Sequence, residues 1–223
     1  MTQFRAILGK DLRLEIRSGE STIALIALSL LILVVIVFAL SQAGARGTEA
    51  GAGALWIAML FSGMLGAVRA LSSERDNGTI YALLVSPVDR TTIYFAKLTA
   101  AVVFMAIAEV AAVVLMVLFF NLNFDFGLLR MLPILALGVI GFGALATVLS
   151  AVSGHTRMGD LILPVLAVPL YVPALIAGVK ASAAMLSGAP FTSAAIWIKI
   201  LIAFDLLFVG AGYLLFEFVI AEN

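Results

Sequence analysis

The sequence predicts an all-α integral membrane protein with six transmembrane helices, an N-terminal amphipathic interfacial helix and a short cytoplasmic helix between the second and third spans. Three observations carry this prediction. Apolar residues make up 64% of the 223 positions and charged residues only 12%, with a mean hydropathy of +1.21; a soluble domain carries roughly twice that charged share. The apolar positions fall in runs of about 20 residues, the length that crosses a roughly 30 Å hydrocarbon core. Short polar connections separate the runs, as expected of a single membrane domain covering residues 1–223.

From the N-terminus, Phe4, Ile7, Leu8 and Leu12 recur at helical spacing, while Lys10, Arg13 and Arg17 lie together elsewhere on the same helix. Residues 1–18 are therefore expected to lie on the membrane surface. Ile23 to Leu40 exceeds a usual signal h-region and follows Asp11, Glu15 and Glu20. A retained span is expected there, although Ala43-Gly44-Ala45 resembles a cleavage site. Spans are predicted at Glu20 to Ser41, Gly51 to Ala70, Ile93 to Phe120, Met131 to Val152, Leu161 to Val179 and Ser193 to Ile220,. Of the connections, only Leu71 to Thr92 is long enough for structure of its own.

Orientation follows from the basic residues. One set of connections holds Arg5, Lys10, Arg13, Arg17, Arg69, Arg75, Arg90, Lys97 and Arg157; the other holds Arg46, Arg130 and Lys180, with Lys199 near its edge. The richer set belongs in the cytoplasm, which places both termini there. Trp56 and Trp197 are both expected near span ends on the side opposite the cytoplasm, with the ring in lipid and the indole N–H near water.

Thirteen basic and thirteen acidic residues cancel, so composition offers no polybasic field for nucleic acid or anionic lipid to read. With no cysteine and one histidine, neither a Cys-type zinc site nor a His-built metal site is expected. An intramembrane enzyme would need a nucleophile–base or metal constellation within the bilayer, and the one histidine falls in a loop. An ion channel would need a polar ring lining a pore, for which two intramembrane carboxylates are thin support. The chain contains no G-x-x-x-x-G-K-[ST] phosphate loop, so an ATP-driven role requires a partner.

Arg69 to Lys97 is the most polar stretch, and it reads as a short helix bracketed by breakers. Ser72, Ser73 or Asn77 can cap its start, Glu74 and Asp76 suit the positive end of its dipole, and Ser86-Pro87 ends it. Ile80, Leu83 and Leu84 give it an apolar face able to rest on lipid or on a partner protein. The order Glu74, Asp76, Gly78, Ile80, Leu83, Leu84, Ser86, Pro87, Arg90 and Lys97 resembles the first cytoplasmic loop of ABC-2-type transporter permeases. The fifth span, with Leu163-Pro164-Val165-Leu166-Ala167-Val168-Pro169-Leu170-Tyr171-Val172-Pro173, resembles the CcmB family of haem exporter membrane subunits, as do the chain length and the N-terminal surface helix.

The resemblance implies a permease subunit in a bacterial inner membrane whose residues 72–90 hold a coupling helix docking on a separate ATPase. It also implies pairing with a second copy and a place on the pathway that loads a periplasmic haem chaperone. The implied partners are a CcmA-like ABC ATPase carrying ATP and Mg, a CcmC-like haem-handling subunit, a small CcmD-like subunit and a CcmE-like chaperone. No directly bound cofactor is expected, haem being a transported or complex-bound species. The alternative is an ABC-2-type permease exporting a lipid, polysaccharide or drug.

Glu109 lies inside the third span, where a carboxylate costs roughly 2.5–3.5 kcal/mol on insertion scales, so it should face the bundle interior, a cavity or a dimer seam. Asp205 in the sixth span poses the same alternatives; Lys199 lies six residues earlier, a poor spacing for a helical pair,. Pro164, Pro169 and Pro173 remove three backbone donors and predict a kinked or broken fifth span. Gly138, Gly141 and Gly143 predict close helix packing in the fourth. His155 and Arg157 sit in the second cytoplasmic turn, which the resemblance makes a lesser ATPase contact.

Overall fold

In the computed structural model, residues 2–42, 47–76, 88–122, 125–153 and 159–221 are described, and they form helices joined by short links. The helices are α1 (Thr2–Ser18), α2 (Glu20–Gln42), α3 (Thr48–Asp76), α4 (Arg90–Phe119), α5 (Phe126–Ser153), α6 (Gly159–Leu186) and α7 (Phe191–Ala221). Among the described residues, the six after α1 are each long and apolar enough to cross a membrane, which makes this an all-α multi-pass membrane protein. Each predicted span lies within one of them, apart from a residue at the end of α4.

The helix ends have local causes. Gly19 takes the left-handed conformation, φ 62°, which lets its N–H bond the Glu15 carbonyl at 2.6 Å while its own carbonyl accepts from Ile23 at 2.8 Å. The result is a tight elbow between α1 and α2, a backbone shape that glycine adopts without steric cost. Asn121, φ 51°, closes α4. Asp125 Oδ1 then accepts from the Gly127 and Leu128 backbone N–H groups at 2.9 and 3.3 Å, capping the start of α5,.

α5 is the hub, packed against α3, α4, α6 and α7. α2 lies outside α3 and α4, and α1 folds back along α4. The main core joins Leu33 of α2, Trp56 and Met59 of α3, Met105 and Met116 of α4, Phe142 and Leu145 of α5, Tyr171 of α6 and Phe204 of α7. A smaller cluster joins Ile7 of α1 to Ile93, Tyr94 and Leu98 of α4 and to Ala144 and Ala151 of α5, with Val88 packed against it.

Three expectations are corrected here. Trp56 is not an interfacial anchor: it is fully buried, its Nε1–H donates to Ser182 Oγ at 2.9 Å, and the absent Cβ atoms of Gly138 and Gly178 leave the slot its ring fills. Ser72 and Ser73 do not begin a helix, because α3 runs without a break to Asp76. The physical reason is that no glycine or proline interrupts Arg69-Ala70-Leu71-Ser72-Ser73-Glu74-Arg75-Asp76, and such a run has no cause to stop. The proline-spaced span is not broken: Gly159–Leu186 is one helix. Pro169 and Pro173 are both on its exposed side, and membrane helices accommodate the missing ladder bonds by local adjustment of the backbone.

Candidate functional site

Two groups of residues carry candidate chemistry: the bundle end at which α3 finishes and α4 begins, and the polar side chains held inside the spans.

At the first, α3 has 29 residues, about 44 Å at 1.5 Å per residue, and outruns a hydrocarbon core of about 30 Å. Glu74 and Asp76 occupy the last turn of this helix as backbone positions, at the negative end of its dipole rather than the positive end of a new helix; their side chains lie outside the described residues. Gly78, Ile80, Leu83, Leu84, Ser86 and Pro87 also lie outside them, as do His155 and Arg157. Description resumes at Val88, and Asp89 stands as the N-cap of α4 in extended conformation, its carbonyl accepting from Thr92 and Ile93.

α1 is fastened to the first turns of α4. Lys97 Nζ, 6% exposed as a residue, lies 2.8 Å from Asp11 Oδ2, and Lys10 Nζ lies 3.1 Å from Asp11 Oδ1. An ammonium so far from water needs such a partner. Four residues further along α1, Glu15 Oε1 accepts the Thr22 backbone N–H at 2.5 Å, satisfying one of the free donors at the start of α2. α1 thus holds both the beginning of α2 and the beginning of α4. Sequence reasoning placed Lys97 in the loop region and missed both contacts. A signal was available: Asp11 and Glu15 lie four residues apart on the same side of α1 as Ile7, and acids on an apolar face ask for partners.

Inside the spans, Glu109 and Asp205 are both buried, and Glu109 Oε1 and Asp205 Oδ1 have no hydrogen-bond partner among the described residues. Glu109 lies between Met105 and Ala112 on the buried face of α4. Asp205 faces Gly141 of α5, where a Cβ would run into its Oδ1 and into Phe204. Lys199 is exposed. Other buried polar groups are matched. Ser29 Oγ and Ser62 Oγ pair across α2 and α3 at 2.9 Å, and the Tyr171 hydroxyl donates to the Phe142 carbonyl at 3.1 Å. The Tyr94 hydroxyl donates to the Val209 carbonyl at 3.2 Å. Among the described residues no three His, Asp or Glu side chains gather as metal ligands.

Gly138, Gly141 and Gly143 each serve a different neighbour: Trp56, the Phe204–Asp205 pair and Val102, respectively. The expected close packing in α5 is present, with three helices using it.

Six apolar helices, four of them packed on the glycine-bearing α5, define the membrane domain of a multi-pass protein. The chain belongs to the CcmB protein family, whose model matches residues 2–221. It is similar to Heme exporter protein B of Rhodobacter capsulatus, 28% identical over 176 residues that cover 79% of this chain and 80% of that protein. Heme exporter protein B of Paracoccus denitrificans is 29% identical over 188 residues, covering 79% and 81%. That of Bradyrhizobium diazoefficiens is 26% identical over 206 residues, covering 86% and 88%.

Proposed function

We propose that this chain is the membrane-spanning permease subunit of an ABC-type haem exporter in c-type cytochrome maturation, with ATP hydrolysis supplied by a separate subunit. The observation that carries the proposal is the family match from residue 2 to residue 221, on a chain that has no phosphate loop of its own,. Residues 77–87 join α3 to α4, so a partner pressing on them would act on two long helices at once. The ion pair between Asp11 and Lys97 supports such a role by holding α4 close to where the loop returns. α3 and α4 both pack on α5, so a tilt of either reaches the hub.

In this reading Glu74, Asp76, Gly78, Ile80, Leu83, Leu84, Ser86 and Pro87 form the docking segment, with His155 and Arg157 as a lesser contact. Glu109, Asp205 and the Pro164, Pro169 and Pro173 helix are the intramembrane positions that respond. The chain works in the bacterial inner membrane, both termini cytoplasmic, beside a second copy of itself, the ATPase, the haem-handling and small subunits and the haem chaperone.

The test is to replace Glu74 with lysine and Gly78 with leucine, then measure recovery of the ATPase subunit with the tagged chain and the yield of c-type cytochromes. Loss of both is expected. Full recovery with normal cytochromes rejects the assignment of the segment, and normal cytochromes in a strain lacking this chain reject the pathway.

A further inference from the structure

Equal numbers of acids and bases exclude a charged surface only when the two signs are mixed in space, and on α1 they are sorted. Asp11 and Glu15 turn inward, where they meet Lys97 Nζ and the Thr22 N–H. Arg13 and Arg17 fall about 40° apart around the helix at 3.6 residues per turn, on the side away from Asp11 and Glu15, with Lys10 about 20° beyond Arg17 and its ammonium paired with Asp11,. All three are exposed. Beside them stand Leu14 and Ile16, 56% and 82% exposed, one on each flank of the basic stripe. The net charge of zero therefore conceals a basic face, and the composition-based exclusion of anionic lipid does not hold locally.

We infer that this outer face of α1 is a docking surface for anionic phospholipid in the leaflet at the end of the bundle where α2 and α4 begin. Depth is the first argument. α4, with 30 residues, is about 45 Å long and outruns a hydrocarbon core of about 30 Å, so its first turns belong in the headgroup layer. α1 is clamped to those turns through Lys97, which sets it at headgroup depth. Chemistry is the second. Arginine offers two parallel N–H donors to a phosphate, and one of the two aliphatic flanks of the stripe turns toward the acyl boundary when the helix lies at headgroup depth. An acidic protein surface would answer the arginines but would give that flank no apolar contact. The inference does not depend on the ATPase-coupling reading.

The experiment uses the purified full-length chain in detergent, with phosphatidylglycerol and phosphatidylcholine of matched acyl chains competing for it in native mass spectrometry. Phosphatidylglycerol should be retained preferentially. Each basic residue near an anionic surface is worth about a five-fold change in affinity, so Arg13→Gln/Arg17→Gln should bind it about 25-fold less tightly with phosphatidylcholine unchanged. Arg13→Lys/Arg17→Lys should keep most of the preference. Equal retention of the two lipids by the unmodified chain, or an unaltered ratio in the glutamine variant, overturns the inference. So does a glutamine variant that loses an ATPase partner while keeping its lipid ratio. Should the glutamine variant fail to fold, Ile16→Cys carries the test, since the chain has no other cysteine. An environment-sensitive probe there should shift to the blue in phosphatidylglycerol nanodiscs relative to phosphatidylcholine and return with added salt. A probe indifferent to lipid charge refutes the docking surface.

Discussion

Replacing Gly178 with alanine sets two effects of opposite sign against each other. In an open helical position, alanine in place of glycine stabilises a helix by about 1 kcal/mol. At Gly178 the added Cβ would overlap three atoms of the Trp56 indole. That ring has little room to retreat: it is fully buried, its N–H is engaged by Ser182, Phe142 meets it edge-on at 5.8 Å, and Gly138 also lies against it. Overpacking costs about 1–3 kcal/mol. An immobile ring places this site at the upper end, and after the propensity gain the net loss is about 2 kcal/mol. Gly53 and Gly210 provide the contrast, because a Cβ there meets nothing within 4 Å; the same substitution should be neutral or stabilise by up to about 1 kcal/mol. The assay is unfolding of the purified chain in mixed micelles titrated with dodecyl sulfate. Trp56→Phe provides a double-mutant cycle: a smaller ring should remove at least about 1 kcal/mol of the Gly178→Ala penalty. A Gly178→Ala chain as stable as the parent, or a penalty of the same size in the Trp56→Phe background, would refute the slot.

Lys97→Met should cost about 2 kcal/mol by leaving Asp11 with Lys10 alone, and Asp11→Asn in the same chain should restore part of it; limited proteolysis of α1 in detergent reads both. Glu15→Ala should lose about 1 kcal/mol with the Thr22 contact, measurable as faster hydrogen exchange at the start of α2. Gly141→Ala should destabilise by driving a methyl group into Asp205 and Phe204, and Asp205→Ala should relieve part of that loss in the same unfolding titration.

The spans were legible because lipid leaves little choice. A segment crossing hydrocarbon must be helical and about 20 residues long, so hydropathy alone locates it. Which face of each helix turns inward was not legible, for the same reason. Leu33 is fully buried and Val35 is 59% exposed, yet both are aliphatic, since lipid and core ask for the same chemistry. Trp56 was misplaced because an indole with a polar tip suits an interface, and nothing local says that Ser182, 126 positions away, supplies the oxygen inside the bundle. The glycines of α5 could be read as close-packing sites, but their partners could not. Between α3 and α4 the start of a separate helix could not be read from Ser72 and Ser73, because it depends on how far α3 continues, where propensity is a weak guide,.

The two buried carboxylates mark the point at which packing stops explaining the sequence. A carboxylate within a span costs roughly 2.5–3.5 kcal/mol even on the lenient insertion scales, and burial repays that only when donors surround the oxygens. Ser29, Ser62, Ser182, Tyr94 and Tyr171 all have hydrogen-bond partners, so this bundle matches these intramembrane polar groups. Glu109 Oε1 and Asp205 Oδ1 have none among the described residues, and Gly141 leaves room for the Asp205 carboxylate by lacking a Cβ. A leucine at either position would be a better stabiliser of this arrangement. In the proposed reading these are the positions that respond when a partner presses on the segment between α3 and α4, and α7, whose seam with α5 holds Asp205, is the helix to follow.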